Sequence, residues 1–247
     1  MAARKTSAKT PKKERKGKPA DRPRIRPLRW LMKWLVRLGV IMAAAMLLLV
    51  LTFKGLNPPT THTIWSEQKR LGSVDRMWVD ADQIAPVMLR AVVAAEDANF
   101  CNHWGFDMSA IRAAIASGAA RGGSTISQQV VKNVFLWQGR SYVRKALEAV
   151  MTPMVEATWS KRRILEVYLN VAEMGEGVFG VEAAARHYFG VGPEALSSRQ
   201  AALIAAALPN PKKRNPARPT AFLKKRARAI ESGAATIAAD GRSACFE

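Results

Sequence analysis

The longest apolar stretch of the chain lies near its N-terminus. Residues 38–53 contain no charged side chain. Trp34, Leu35 and Val36 extend this stretch to roughly 20 residues. Arg37 lies between these three residues and residue 38, but its long side chain can turn the guanidinium toward the membrane surface. About 20 helical residues are enough to cross the hydrocarbon layer of a membrane. The pattern therefore predicts one transmembrane helix over residues 30–54.

A cleaved signal peptide is the alternative explanation of this stretch. Its apolar region would span about 7–15 residues and end in small residues at a cleavage site. The sequence Leu47–Lys54 has no such site, so we predict that the helix is retained as an anchor. Twelve Lys or Arg residues lie within residues 1–29, whereas only Lys54 closely follows the span. The positive-inside rule then places the N-terminus in the cytoplasm and the rest of the chain outside it.

Beyond the Pro-containing segment Asn57–Pro59, apolar residues recur at intervals of three and four in Ala-rich stretches. This period is typical of amphipathic helices. Strand signals are scarce and favour only Met77–Val79. The predicted fold class is mainly α. The predicted helices cover residues 87–95, 109–119, 125–135, 142–169, 181–189, 198–207 and 221–239.

Charge and composition divide the chain further. Half of the formal net charge of +20 lies in residues 1–29, where apolar residues are almost absent, so this segment cannot offset its own ordering entropy. Cys101 and Cys245 are the only cysteines, and they are too far apart in sequence to indicate a disulfide framework. Outside the cytoplasm they could pair, but we expect them to be unpaired. The predicted divisions are a basic disordered cytoplasmic tail at 1–29, a transmembrane helix at 30–54, a linker at 55–77 and one catalytic domain at 78–247.

Two acidic residues, Glu96 and Asp97, directly follow an apolar helical run. Carboxylates are suited to general base catalysis. The alternative is that they merely end the helix, although a helix C-terminus favours cations. Adjacent helical residues point about 100° apart, so we expect Asp97 to support the following loop rather than to share proton transfer. We also expect His103 to be structural.

A second polar segment begins with two glycines and continues with Thr125 and Gln128, which have the spacing of a capping box. The free amides of such a helix start can bind an anion, and the polar face that follows can hold sugar hydroxyls and a phosphate. Gly-Lys-Ser/Thr is missing, so the segment is not a P-loop, and a capped helix with a solvated polar face is the alternative. Two pairs on this face lie one turn apart, Gln128 with Lys132 and Gln129 with Asn133.

A third segment places Arg144 and Glu148 one turn apart. Taken alone, this is an ordinary helical ion pair worth about 0.2–0.5 kcal/mol. The segment becomes more informative when it is considered together with the other polar segments of the chain. The chain contains, in order, Glu-Asp-x-x-Phe-x-x-His-x-Gly from Glu96, Gly-Gly-Ser-Thr-Ile-x-Gln-Gln-x-x-Lys-Asn from Gly122, Arg-Lys-x-x-Glu from Arg144, and Ser-Lys-x-x-Ile-Leu-Glu-x-Tyr-Leu-Asn from Ser160.

Together these motifs resemble those of the peptidoglycan glycosyltransferases of family 51. The resemblance continues to Pro209-Asn210-Pro211 and covers about residues 78–230. It implies a lysozyme-like helical domain with a smaller membrane-proximal lobe. It also implies polymerisation of lipid II into a β-1,4-linked glycan, with undecaprenyl pyrophosphate as the leaving group.

The resemblance also assigns roles to residues. Glu96 matches the general base that acts on the acceptor 4-hydroxyl. Lys132 and Arg144 would stabilise the pyrophosphate, and Glu148 would orient groups in the cleft. The remaining substrate-binding positions are Ser124, Thr125, Gln128, Gln129 and Asn133.

The expected partners are lipid II, the growing lipid-linked glycan and the cell inner membrane, with the catalytic domain in the periplasm. Partnership with cell-wall synthases or division proteins is left open. We expect no obligatory cofactor and recognise no metal ligand set, and a requirement for a divalent cation, Mg²⁺ or Mn²⁺, is left open. The only Ser-x-x-Lys match begins at Ser66, and Lys-Thr-Gly is absent, so we predict no transpeptidase domain.

Two functions from other classes compete with this prediction. A glycan-cleaving, lysozyme-like enzyme would use a carboxylic acid to protonate its leaving group and would not need Lys132 and Arg144 beside the acids. A noncatalytic membrane or nucleic-acid binder would rely on the basic tail. That tail lacks interleaved aromatic residues, so we predict no nucleic-acid partner and attribute its charge to attraction by the membrane surface.

Overall fold

A computed structural model describes residues 27–116, 123–139 and 141–247. The predicted tail up to residue 26, residues 117–119 of one predicted helix and Gly122 lie outside the described residues. The fold is mainly α with a small sheet, as predicted. The helices are α1 (Pro27–Gly55), α2 (His62–Leu71), α3 (Pro86–Glu96), α4 (Met108–Ala116), α5 (Ile126–Phe135), α6 (Tyr142–Thr158), α7 (Lys161–Val171), α8 (Gly180–Phe189), α9 (Ser198–Ala207) and α10 (Ala221–Ala239), and the strands are β1 (Asp75–Arg76), β2 (Glu173–Gly175) and β3 (Val178–Phe179).

Helix α1 contains the predicted span. Among the described residues it is the one helix long and apolar enough to cross a membrane, with a mean hydropathy of 2.4 in its most apolar window. Of the described residues, those at 27–43 belong to one compact unit and those from Ala44 to Glu247 belong to a second. In the described part of the first unit, Arg37 places its guanidinium 5.2 Å from the ring centre of Trp34.

Within the second unit, the end of α1 is held by side chains of α7 and of the turn before it. Trp159 Nε1 donates to the carbonyl of Val50 at 2.9 Å. Arg163 donates to the carbonyls of Phe53 and Leu56, at 3.1 and 2.8 Å. The last turn of a helix leaves its carbonyls without helical partners. These donors therefore satisfy acceptors at the C-terminal end of α1.

The segment predicted as a linker contains helix α2. The Thr61 side chain caps this helix by accepting from the amide of Ile64 at 3.3 Å. Ile64 is the one buried residue of α2, which packs against α5. Because the rest of this helix is largely polar or exposed, the sequence carries only a weak apolar period here. Residues 62–71 therefore form a capped helix that packs on α5 through Ile64.

The prediction of one helix over residues 142–169 was wrong. Helix α6 ends at Thr158, Trp159 has an extended backbone, and α7 begins at Lys161. The hydroxyl of Ser160 accepts from the amide of Arg163 at 3.1 Å and caps α7. Serine is a favoured N-cap because its oxygen satisfies an amide that lacks a helical partner. The apolar period continues across the break, so periodicity alone did not reveal it.

The strand prediction at Met77–Val79 was also wrong. The sheet has the order β1-β3-β2, with β1 parallel and β2 antiparallel to β3, and its first strand is Asp75–Arg76. The backbone of Val79 instead pairs with a buried side chain of α7. Its amide donates to Asn170 Oδ1 and its carbonyl accepts from Asn170 Nδ2, both at 2.8 Å. The side-chain amide of Asn170 thus makes the two hydrogen bonds that a neighbouring strand would otherwise make to Val79.

The core has two packed groups of helices. Helices α3, α9 and α10 pack on one another, and α5 packs against α6 and α7. Alanine at the buried positions of α9, such as Ala201 and Ala205, allows its neighbours to approach closely.

The prediction that the cysteines are unpaired was wrong, because Cys101 and Cys245 form a disulfide. Only the fold brings these two residues together, since 144 positions separate them in sequence.

We predict that Asn170→Ala destabilises the protein by about 2–3 kcal/mol, because it leaves the buried amide and carbonyl of Val79 without partners. Denaturant unfolding of the purified protein measures this. Gln68→Ala, at an exposed position of α2, is the matched control and should change the free energy of unfolding by less than about 0.5 kcal/mol. Equal effects of the two substitutions would contradict the bracing role of Asn170.

Candidate functional site

The site centres on a hydrogen-bonded chain that joins α3, α5 and α7. Gln129 Nε2 donates to Glu96 Oε2 at 3.0 Å. The hydroxyl of Tyr168 donates to Gln129 Oε1 at 3.4 Å. The two bonds fix which way the Gln129 amide faces, because its oxygen must accept from Tyr168 and its nitrogen must donate to the carboxylate. Burial, with the nearby charge of Glu96, raises the pKa of Tyr168 well above its ordinary value, so the hydroxyl stays protonated and can donate.

Asp97 connects the elements around this chain. It caps the C-terminal end of α3, and its side chain is buried. Its Oδ2 accepts from the amide of Ile126, the first residue of α5, at 3.0 Å. Its Oδ1 accepts from His103 Nε2 at 2.8 Å. A carboxylate at the start of a helix is favourable, since the positive end of the helix dipole lies there. Asp97 therefore holds the start of α5 against the end of α3.

The capping box predicted from the sequence is confirmed. The hydroxyl of Thr125 accepts from the amide of Gln128 at 3.3 Å, and Gln128 Oε1 accepts from the amide of Thr125 at 3.1 Å. Thr125 also donates to the carbonyl of Gly105 at 2.6 Å. Both side chains are buried. Their hydrogen-bonding capacity is largely used inside the protein, so they act here by fixing the start of α5.

Lys132 is the cation that α5 presents to the site. Burial lowers the pKa of Lys132 from its ordinary value, and the carboxylates of Glu148 and Glu96 partly oppose this effect. Among the described residues it has neither an ion pair nor a side-chain hydrogen bond. A partly desolvated ammonium group without a partner is well suited to bind an anion.

Arg144 and Glu148 form the ion pair expected from their spacing. Arg144 Nη1 donates to Glu148 Oε2 at 2.7 Å, and Lys145 also donates to the Glu148 carboxylate. Arg144 Nε donates to the carbonyl of Gly139 at 2.9 Å. Glu148 is 2% exposed, so it is a buried carboxylate compensated by two cations. Its position fixes the direction of the Arg144 side chain.

Two cavities adjoin the Glu96–Gln129 hydrogen bond. One, of about 530 Å³, is lined by residues that include Glu96, Ser124 and Thr125. The other, of about 380 Å³, is lined by residues that include Gln129, Lys132 and Asn133. The structure thus brings six predicted site residues to two adjacent cavities. Gln128 and Glu148 lie buried beside them, and Arg144 lines a separate, shallower cavity with Lys145.

Three charged residues of the second cavity were not among the predicted site residues. Lys212 Nζ lies 2.8 Å from Glu67 Oε1 and 3.4 Å from Glu173 Oε1. Burial raises the pKa of Glu173, while hydrogen bonds from Arg70 and Lys212 lower that of Glu67. Glu67 was missed because it lies in the segment predicted as a linker. Tyr168 was missed as a site residue although it lies in the motif that begins at Ser160.

The described residues contain no group of three or more His, Cys, Asp or Glu side chains placed to hold a metal ion. The acidic residues of the first cavity have other partners. Asp107 Oδ1 accepts from the hydroxyl of Ser109 and from the amides of Ser109 and Ala110, the two amides at 2.9 Å, and these bonds, the hydroxyl's above all, lower the pKa of Asp107 well below its ordinary value. Asp107 thus caps α4.

Comparisons with known proteins agree on one family. A family model described as Transglycosylase matches residues 64–234, beginning inside α2 and not at the predicted domain start, residue 78. A protein of Jannaschia sp. (strain CCS1) is 60% identical over 83% of this chain and 86% of its own length. A protein of Rhodospirillum centenum is 46% identical over 85% and 94%. One from Pseudomonas fluorescens (strain Pf0-1) is 50% identical over 75% and 81%. Each of the three is called a biosynthetic peptidoglycan transglycosylase.

We predict that Asp97→Ala lowers the free energy of unfolding by about 3 kcal/mol, because it removes an acceptor from a buried amide and from His103. Denaturant unfolding measures the loss. Asp82→Ala is the matched control, since the side chain of Asp82 is 87% exposed and its ion pair with Arg162 should contribute at most about 1 kcal/mol. A loss in Asp97→Ala no greater than in the control would contradict the bracing role of Asp97.

Proposed function

This chain belongs to the transglycosylase family, whose members are peptidoglycan glycosyltransferases with a lysozyme-like domain, and from that premise we propose that it polymerises lipid II into a β-1,4-linked glycan. Undecaprenyl pyrophosphate is the leaving group. The observation that carries this proposal is the Glu96–Gln129 bond of 3.0 Å, because it places a carboxylate beside the cavity that Lys132 lines.

Glu96 is the general base in this proposal. The 4-hydroxyl oxygen of the acceptor sugar attacks the anomeric carbon of the donor as the bond from that carbon to the pyrophosphate oxygen breaks. Glu96 takes the proton of the attacking hydroxyl. Gln129 supports this step by donating to one carboxylate oxygen, Oε2, which leaves Oε1 available to the acceptor. Ser124 lines the same cavity and suits a sugar hydroxyl, whereas Thr125, whose hydroxyl donates to the carbonyl of Gly105, shapes the cavity by holding the start of α5.

In this proposal, two cations stabilise the leaving group. As the pyrophosphate separates, negative charge develops on its oxygens, and donors already in position stabilise that charge. Lys132 supplies an ammonium that has no ion pair within the part of the chain that the structure describes, and Arg144 supplies a guanidinium whose direction Glu148 fixes. Asn133 lines the Lys132 cavity and can hold further polar groups. No step proposed here uses a divalent cation.

The membrane placement follows from α1 and the charge around it. One apolar helix near the N-terminus fits a single-span anchor for an enzyme whose substrate is itself lipid-linked. We propose that this is the inner membrane, with the N-terminus cytoplasmic and the catalytic unit periplasmic. The Cys101–Cys245 disulfide supports this orientation, because disulfides persist in oxidising compartments and are rare in the cytosol.

We predict that Glu96→Gln lowers the rate of glycan polymerisation by about 100-fold or more, since removal of a general base typically costs 10²–10⁴-fold. Purified full-length protein is incubated with labelled lipid II in liposomes. The product is identified as glycan by its digestion with a muramidase. Glu194→Gln, at an exposed position, is the matched control and should retain the wild-type rate.

Each other outcome of that experiment has a definite meaning. A wild-type rate in Glu96→Gln would exclude Glu96 as the base. If the wild-type protein makes no polymer but shortens preformed glycan, the glycan-cleaving function is correct. If it does neither under varied lipid and divalent-ion conditions, a noncatalytic binding function is correct.

The lowered pKa of Lys132 predicts a pH effect on binding. The group loses its positive charge at a lower pH than an ordinary lysine, whose pKa is 10.5, so lipid II binding should weaken as pH rises through a value below 10.5. Binding is measured in the Glu96→Gln background, where turnover is blocked. Adding Lys132→Arg should keep binding constant through that range, because arginine stays charged. Adding Lys225→Arg, which changes an exposed lysine of α10, is the control. The same pH dependence in all three proteins would exclude Lys132 from pyrophosphate binding.

A further inference from the structure

The C-terminal end of the chain, residues 240–247, folds back onto the loop that follows Glu96. The disulfide between Cys101 and Cys245 joins the two segments covalently. We call residues 240–247 the C-terminal clasp, and residues 97–103 the loop that it holds. The clasp follows α10, which itself packs against α3, the helix that ends at Glu96. The clasp therefore lies at the end of the helix that carries the proposed base.

Noncovalent contacts reinforce the disulfide. Arg242 Nη1 donates to the carbonyl of Ala98 at 3.0 Å. Phe246 is 1% exposed, and its ring centre lies 6.3 Å from that of Phe100. The disulfide and these two contacts join the clasp to the loop at Ala98, Phe100 and Cys101. A segment held at three places along its length has little freedom to shift.

Two arginines fasten the clasp itself to the helices. Arg90 of α3 pairs with Glu247 at 2.8 Å. Arg162 of α7 donates to the carbonyls of Phe246 and Glu247, both at 3.0 Å. The clasp thus connects the loop to two helices that contribute to the site, since α3 ends at Glu96 and α7 carries Tyr168.

The loop in turn fixes the position of Glu96. Asp97 and His103, at its two ends, are hydrogen-bonded to each other, and Asp97 also holds the first amide of α5. The carbonyl of His103 accepts from Lys161 Nζ at 2.7 Å. A shift of this loop would move Asp97 and would therefore change the distance between Glu96 and Gln129.

We propose that the C-terminal clasp, through the Cys101–Cys245 disulfide and the Arg242 bond to Ala98, is a positioning element that holds Glu96 in place for the transfer step. Its residues act through the loop and line neither of the two site cavities as the structure describes them. This inference rests on the proposed role of Glu96 as base. Loss of the clasp should therefore lower kcat by a larger factor than it raises KM for lipid II, because Glu96 acts only in the transfer step, whereas Ala98 of the loop also lines the first cavity.

The test compares wild type, Cys101→Ser/Cys245→Ser and Arg242→Ala in the lipid II assay, with kcat expressed per folded molecule well below the melting temperature. We expect kcat to fall about tenfold in the double variant, because a misplacement of about 1 Å can cost about 100-fold. We expect a smaller fall in Arg242→Ala, which keeps the disulfide. KM should change by a smaller factor than kcat in both. Amide hydrogen exchange at residues 97–103 should become faster in both.

Reduction provides the same test without a substitution. Dithiothreitol converts the disulfide to two thiols as the reagent forms its own cyclic disulfide, so the two-electron exchange is balanced. The wild-type kcat should then fall to the level of the double variant. The double variant should not respond to the reagent, which controls for its other effects. If the double variant does not fold, the reduced wild type and Arg242→Ala decide the result.

A merely stabilising role makes a different prediction. Leu196→Ala removes a buried side chain outside the clasp and the loop, and it serves as the control for lost stability alone. If the clasp only stabilises the fold, both it and the clasp variants lower the melting temperature while kcat per folded molecule is unchanged, and the proposal is overturned. A lowered kcat in the clasp variants together with full activity of Glu96→Gln would also overturn it, since the clasp would then position some other group.

Discussion

The site depends on one buried carboxylate, that of Asp97. It accepts hydrogen bonds from the first amide of α5 and from His103, so the end of α3 and the start of α5 stay together. Glu96 precedes Asp97 and Gln129 lies in the first turns of α5, and these two side chains meet only because the helix ends meet. An uncompensated buried charge is costly, and here a helix N-terminus and an imidazole supply the compensation. The proposed reaction thus depends on Asp97, which positions Glu96 and Gln129 but does not itself react in the proposed mechanism.

Most of the helices could be predicted from the sequence, because apolar residues at intervals of three and four specify which face is buried. The boundaries of α9 and α10 agree with the prediction to the residue, since Ser197 and Thr220 are strong N-caps. The same signal failed where the periodic pattern runs across a cap, as at Ser160, and where a helix buries a single apolar residue, as α2 buries Ile64. Periodicity reports burial, and it does not report a break between two helices that bury the same side.

The candidate site was only partly accessible to sequence reasoning. Local spacing predicted the capping box of Thr125 and Gln128 and the pair of Arg144 and Glu148, because both lie within one helical turn. The contacts across helices had no local signal. Tyr168 reaches Gln129 from 39 positions away, and Cys101 reaches Cys245 from 144 positions away. Such contacts are fixed by how α3, α5, α7 and the C-terminal segment pack, which residue spacing does not encode.

The charges around Glu148 fit its part in the proposed group transfer. A glycosidase that releases a sugar hydroxyl needs a carboxylic acid to protonate it, in addition to a second carboxylate. Glu148 is the second acidic residue of the candidate pair, and it accepts from both Arg144 and Lys145. Both oxygens of this carboxylate therefore accept from cations, which suits a group that orients cations in the proposed mechanism. A pyrophosphate needs no proton to leave, but it does need positive charge nearby, and Lys132 offers an ammonium with no partner among the described residues. In the proposed mechanism, transfer from a pyrophosphate donor therefore uses one carboxylate as the base and cations in place of an acid.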